Sequence, residues 1–183
     1  MNVKPLIAVI ALAAISAAHA QDQQSLGVNI GGQVGVYMPT SSAVRDAFGK
    51  SVLNLGLGPV GGTNRPSSGS LTPSLELLSA NKNGNRLFIG TFTYGYEKHL
   101  APDESTTVPY VRVFGGGAYF DYGITQVGVR NSAKKFSTTG GVEAGIVFAN
   151  RLKLSAKYNV YPKQDGFDFS GFSLSATYSL FKL

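Results

Sequence analysis

The chain has no cysteine and no tryptophan, and only 14% of its residues are charged. Without thiols there is no disulfide framework and no thiolate metal site, so stability has to come from a packed core or a closed sheet. Of two histidines, His19 lies in the first 20 residues, which leaves His99 as the one imidazole of the remainder. With Asp103-Glu104 as the single acidic doublet, no metal-binding cluster is expected. A Walker fingerprint is missing; the spacing Gly56-x-Gly58-x-x-Gly61 falls on a glycine-interrupted strand pattern and not at a strand-to-helix turn, and Gly115-Gly116-Gly117 falls inside a strand pattern, where it reads as a bend. Beyond Ala20 no stretch approaches 18 consecutive apolar residues, so no helix is expected to cross a bilayer.

What is present begins with Met1–Ala20: a basic head at Lys4, an apolar run from Leu6 to Ile15, and Ala18-His19-Ala20 before Gln21. That order is expected of a secretory signal peptide cleaved after about Ala20. Removing the first 20 of 183 residues leaves 163, one domain spanning 21–183. The formal charge of +6 includes Lys4, so about +5 stays with the mature chain. Its cations are scattered, with Lys134-Lys135 the single basic doublet. Export argues against nucleic acid as a partner, and attraction to anionic lipid headgroups remains open.

The chain is organised around its last two strand patterns. Leu152, Leu154, Ala156, Tyr158 and Val160, then Phe172, Leu174, Ala176, Tyr178 and Leu180, alternate with Lys153, Ser155, Lys157, Asn159 and Ser173, Ser175, Thr177, Ser179. A period of two over roughly ten residues suits a tilted strand with one face in lipid and the other in a polar lumen. Six further segments precede them: 26–36, Val52–Val60, Leu71–Ala80, Arg86–Lys98, Val108–Tyr122 and Ser137–Ala149. Asn81–Asn85 and Asn150-Arg151 are tight turns, the first with an Asn-Gly pair that supplies positive φ angles. Gly61–Ser70 is a loop by composition. Gly123–Phe136 reads as the longest polar connection, with Ile124, Val127 and Val129 able to extend a hairpin. Val44, Ala47 and Phe48, after Ser41 and Ser42 and before Gly49, predict one short helix in the first connection. On the fourth segment Leu87 and Ile89 share one parity and Phe92, Tyr94 and Tyr96 the other, so a β-bulge near Gly90 is expected. The fold class is thus all-β: a closed antiparallel transmembrane barrel of about eight strands, the form that satisfies every backbone donor in lipid.

Parity then sorts the side chains. Val142, Ile146, Leu152, Leu154, Leu174 and Leu180 face lipid. Glu76, Arg112, Glu143, Lys153 and Lys157 face the lumen, where both acids are expected to pair with the cations, because isolated buried ions are costly. Tyr37, Tyr94, Tyr96, Tyr158 and Tyr178 are expected in an aromatic belt at the headgroup levels, whereas Tyr110 and Tyr161 share the inward parity.

With these features the chain resembles the small eight-stranded outer-membrane β-barrel proteins, the OmpA-like and OmpW-like barrels. The features are the leader, eight alternating segments, aromatics at strand ends and the ending Tyr178-Ser179-Leu180-Phe181. The resemblance implies residence in the outer membrane and contact with its lipid. It also implies insertion by an assembly machinery that reads an alternating last strand ending in an aromatic residue. This chain ends instead at Leu183, out of phase with the Phe172–Leu180 series.

The expected role is a non-enzymatic structural or surface barrel with a polar, largely plugged lumen, or a narrow conduit for small hydrophobic compounds. Two other readings stand beside it. A soluble periplasmic lipocalin-like barrel would invert the parity, with Leu174 and Tyr178 lining a cavity and Lys153 and Lys157 in water. A lipid-modifying enzyme would need a serine activated by a base. His99 has Asp103 and Ser105 nearby in sequence but sits in a turn-like context, which reads as a solvated loop histidine. No catalytic residue and no cofactor are expected, and the oligomeric state is left open.

Overall fold

The computed structural model describes residues 28–62, 69–101, 105–126 and 129–182. The leader, the start of the first strand pattern and Leu183 lie outside them. Eight antiparallel strands close on themselves in chain order. They are β1 (Val28–Pro39), β2 (Val52–Gly62), β3 (Ser70–Lys82), β4 (Asn85–His99), β5 (Thr107–Gln126), β6 (Val129–Phe148), β7 (Leu152–Val160) and β8 (Gly171–Lys182). One helix, α1 (Ser42–Phe48), lies between β1 and β2.

The register fixes the shape of the cylinder. From Gly90 the paired row runs through Leu77, Leu55, Val34, Ala176, Leu154 and Ile146 and arrives on β5 at Pro109. Gly90 pairs directly with Tyr119 on that same strand, ten residues away. A stagger of ten over eight strands corresponds to a tilt of about 40° and an interior that side chains fill.

Local chemistry explains the turns. Asn83 and Gly84 carry φ angles of 50° and 79°, the pair of positive values that a two-residue hairpin between right-twisted strands requires. Ala149 and Asn150, at 46° and 54°, do the same between β6 and β7. In α1 the apolar trio Val44, Ala47 and Phe48 turns into the barrel mouth, and Gly49, at φ 105°, ends the helix by donating its N–H to the Arg45 carbonyl. Ser41 makes no side-chain cap, so the helix is held by packing.

Several expectations are corrected. No bulge occurs near Gly90: β4 keeps register with both neighbours throughout. Leu87 and Ile89 face inward because the lumen at that end is itself apolar. Gly123–Phe136 is not a polar connection but extends the hairpin, as Ile124 and Val129 allowed, with β5 and β6 paired continuously out to Gln126 and Val129; Val127 lies outside the described residues. The triple glycine does not interrupt β5 or shift its register.

A bulge does occur on β8. Gly31 pairs with Ser179 and Ile30 with Phe181, so Leu180 is skipped. Leu180 and Phe181 are consequently both exposed on the outer wall, which turns the chain's last aromatic outward despite its odd position.

The inner wall is uneven. Gly31, Gly35, Gly56 and Gly58 lie on the inward rows of β1 and β2. Across the barrel, β5 supplies bulk through Tyr110, Phe114, Phe120 and Tyr122. At Gly35 a Cβ would stand 2.3 Å from the Leu174 carbonyl oxygen of β8, so the closing seam needs glycine there.

Candidate functional site

The interior has three levels. At the α1 end, Tyr37, Phe48, Leu78, Ile89, Phe120, Tyr122, Tyr161, Phe167 and Phe169 belong to an apolar plug. Phe120 packs edge-on against Tyr161 with ring centroids 5.4 Å apart. At the opposite end Val60, Val108, Tyr110 and Val147 form a smaller apolar floor. Between them lies a cluster of six buried charges: Glu76, Glu97, Glu143, Arg112, Lys153 and Lys157.

Each charge arrives from the inward row of its own strand and meets an opposite one. Lys157 on β7 binds Glu76 on β3. Lys153 donates to Glu97 at 2.8 Å and lies 3.3 Å from Glu143. Arg112 donates to Glu143 at 3.1 Å, and its other terminal nitrogen donates to the Thr72 carbonyl and the Ser74 hydroxyl, each at 3.1 Å. The Tyr110 hydroxyl donates to Glu143 at 2.5 Å, while the Lys153 ammonium rests 4.1 Å from the Tyr110 ring centroid. Three acids balance three bases, so the cluster carries no net formal charge. Buried ions persist only when paired and hydrogen-bonded, and here the pairing is mutual across five strands, β3 to β7.

The structure brings together all five luminal residues named from parity and adds Glu97. Its signal was available: Glu97 shares the parity of Leu87 and Ile89 on β4. His99 is corrected. It is not solvated; its side chain is 7% exposed and its Nε2 lies 3.2 Å from Glu97 Oε1. Asp103 lies outside the described residues. Among the described residues no cluster of metal-ligating side chains occurs.

Little space remains around the charges. The cavity beside them, lined by Gln33, Ser74, Glu76, Arg112, Glu143 and Lys153 among others, measures about 10 Å³, room for about one water. The Gln33 amide nitrogen and Arg112 Nε, both buried without a protein partner, are the donors such a water would serve.

The outer wall is apolar. Val142, Ile146, Leu154, Leu174 and Leu180 are exposed, as are Tyr94, Tyr96 and Tyr178. Leu152 and Tyr158 are half-buried on the same face, Tyr158 against Phe172 with centroids 4.7 Å apart. Tyr37 is a correction to the expected belt. It shares the inward row of Gln33 and Gly35, is fully buried in the plug, and donates its hydroxyl to the Phe169 carbonyl. A soluble carrier would show the reverse pattern; instead Leu174 and Tyr178 point out while Lys153 and Lys157 point in.

The polar end beyond the plug is tied by one loop. Asp165, between β7 and β8, accepts from the Tyr122 hydroxyl at 2.5 Å and from Lys135. Those two hydrogen bonds, Lys135's first, hold its carboxyl below the usual carboxylate range.

Comparison with known proteins adds the following. The family described as "Outer membrane protein beta-barrel domain" matches residues 7–179. No curated protein sequence matches the chain. Among solved structures, the fold is similar to the N-terminal β-barrel domain of OprF from Pseudomonas aeruginosa, with TM-score 0.60 and 9% identity, covering 86% of this chain and 100% of that one. It is also similar to Neisserial surface protein A, with TM-score 0.55 and 12% identity over 86% and 100% of the two chains. A third is Ail, the attachment invasion locus protein of Yersinia pestis, with TM-score 0.52 and 14% identity over 84% and 96%.

Proposed function

The chain belongs to the family of outer-membrane protein β-barrel domains, and from that premise we propose that it is a non-enzymatic surface barrel with a sealed lumen. The observation that carries this is the filled interior: a neutral, fully paired charge cluster between two apolar layers, with a cavity of about 10 Å³ beside it. A permeating solute would have to break several buried ion pairs and displace the plug under α1. His99 is turned inward beside Glu97, off the outer wall where a lipid substrate would meet the barrel, and this supports the non-enzymatic reading. Of the three similar structures, one is named a surface protein and another an attachment invasion locus protein, which favours a role at the cell surface.

In this reading residues 1–20 are the cleaved leader, and both chain ends face the periplasm. The end bearing α1, the Asn83-Gly84 turn and the β5–β6 hairpin then faces outward. The outer wall meets lipid, and the assembly machinery inserts the chain through its last strand. Planar-bilayer recording of the purified protein tests the seal: no discrete conductance steps are expected. Reproducible single-channel steps would overturn it.

A further inference from the structure

On the outer wall, β4, β5 and β6 carry a cationic step directly above an aromatic one. The paired row Gly90–Tyr119–Phe136 places two rings side by side, and Phe88 joins them from the next row. Centroids are 4.9 Å apart for Tyr119–Phe136 and 6.5 Å for Phe88–Tyr119. Phe136 is 86% exposed, an exposure that suits a membrane interface and not open water.

One row farther toward the β5–β6 turn, Phe88 pairs with Asp121 and Asp121 with Lys134. Beyond that, Arg86 pairs with Gly123, and Thr125 with Arg130. Arg86 Nη2 lies 3.1 Å from Asp121 Oδ1, and Lys134 Nζ lies 3.9 Å from Asp121 Oδ2. Two exposed cations therefore flank one carboxylate, and exposed Arg130 reaches toward Gly123 beside Arg86 from the rows beyond, leaving an excess of positive charge. Two residues along a tilted strand climb about 5 Å toward the end of the barrel. The rows of Lys134, Arg86 and Arg130 therefore lie about 5, 10 and 15 Å beyond the ring row, and long side chains can reach back toward it. The cations thus sit where phosphates lie if the rings mark the edge of the hydrocarbon. The lumen is neutral, so this charge is not compensated from within.

We propose that this step is a binding site for a phosphate-bearing lipid of the outer leaflet. Arg86, Lys134 and Arg130 engage the headgroup phosphate, and Phe136 and Tyr119 pack against the first carbons of its chains. The proposal rests on the membrane reading and on the orientation given above.

The test reconstitutes the full barrel into phosphatidylcholine nanodiscs doped with diphosphorylated lipid A or with its dephosphorylated form, and counts retained lipid by native mass spectrometry. Retention of the phosphorylated form should exceed that of the other by at least about tenfold, as expected for several interfacial cations. The triple variant Arg86→Gln, Arg130→Gln, Lys134→Gln should fall to the dephosphorylated baseline. Lys82→Gln with Lys163→Gln, which removes two cations of the same end elsewhere, should leave retention unchanged. Equal retention of both lipids overturns the site and needs no variant. So does an unaffected triple variant, or a control variant that loses as much. Conductance by a barrel that still retains lipid A would sink the sealed reading alone, whereas a chain that never folds into the nanodisc would sink both.

Discussion

Lys157 and Glu76 offer the sharpest measurement of what holds the interior together. Both are buried, and among the described residues the ion pair of Lys157 is to Glu76. Two unit charges about 3 Å apart at an effective dielectric of about 20 attract by about 5 kcal/mol, of which desolvation of both groups cancels a large part. Lys157→Met keeps most of the side-chain volume but strands the carboxylate, so the barrel should lose about 3–5 kcal/mol. Adding Glu76→Gln removes the stranded ion. The double variant should lie within about 1–2 kcal/mol of the wild type, which makes the coupling between the two sites about 2–4 kcal/mol. Urea titration in phosphatidylcholine vesicles measures this, followed by far-UV circular dichroism and by the folded and unfolded bands of unheated samples on gels, since the chain has no tryptophan to report. A single change costing under about 1 kcal/mol, with additive effects in the double variant, would refute a dry, paired lumen.

Leu174→Arg places a cation on the outer wall between Ala156 and Val36 and should cost about 2–4 kcal/mol in the same titration; no cost would mean that this face does not meet hydrocarbon. Phe120→Ala removes a ring that contacts Tyr161 and Phe169 in the plug, and an expected loss of about 3–5 kcal/mol should come with faster amide exchange in α1. Asp165 gives a pH dependence. Its folded pKa is depressed, so the loop anchor is intact above the unfolded carboxylate range and is lost as pH falls through the lower folded value. Amide protection factors in residues 161–170, taken relative to the intrinsic exchange rate at each pH, should therefore fall on acidification, and Asp165→Asn should show the lower protection already at neutral pH.

Parity was legible wherever the two faces of a strand differed in polarity. On β7 and β8 lysines and serines alternate with aliphatics, and the luminal assignments of Lys153 and Lys157 followed directly. The same logic was silent on β4, where Leu87 and Ile89 point into an apolar plug and Phe88 and Phe92 point out, so alternation carried no contrast and suggested a bulge that does not exist. Glu97 and His99 were lost with that strand's phase. Tyr37 misled for a related reason, because a tyrosine near a strand end suits either a headgroup layer or a plug beneath a helix. Phe167 and Phe169 lie in a short connection, and only the closed cylinder brings them against Phe120 and Tyr122.

Glycines on the seam carry a consequence for closure itself. β1 is the first strand of the cylinder, yet its bonds to β8 can form only after the other seven strands exist. With Gly31 and Gly35 on its inner row, it adds little bulk to an already furnished interior until Tyr37, which enters the plug at the α1 end. The join behaves less like a key entering a lock than like a hem drawn shut.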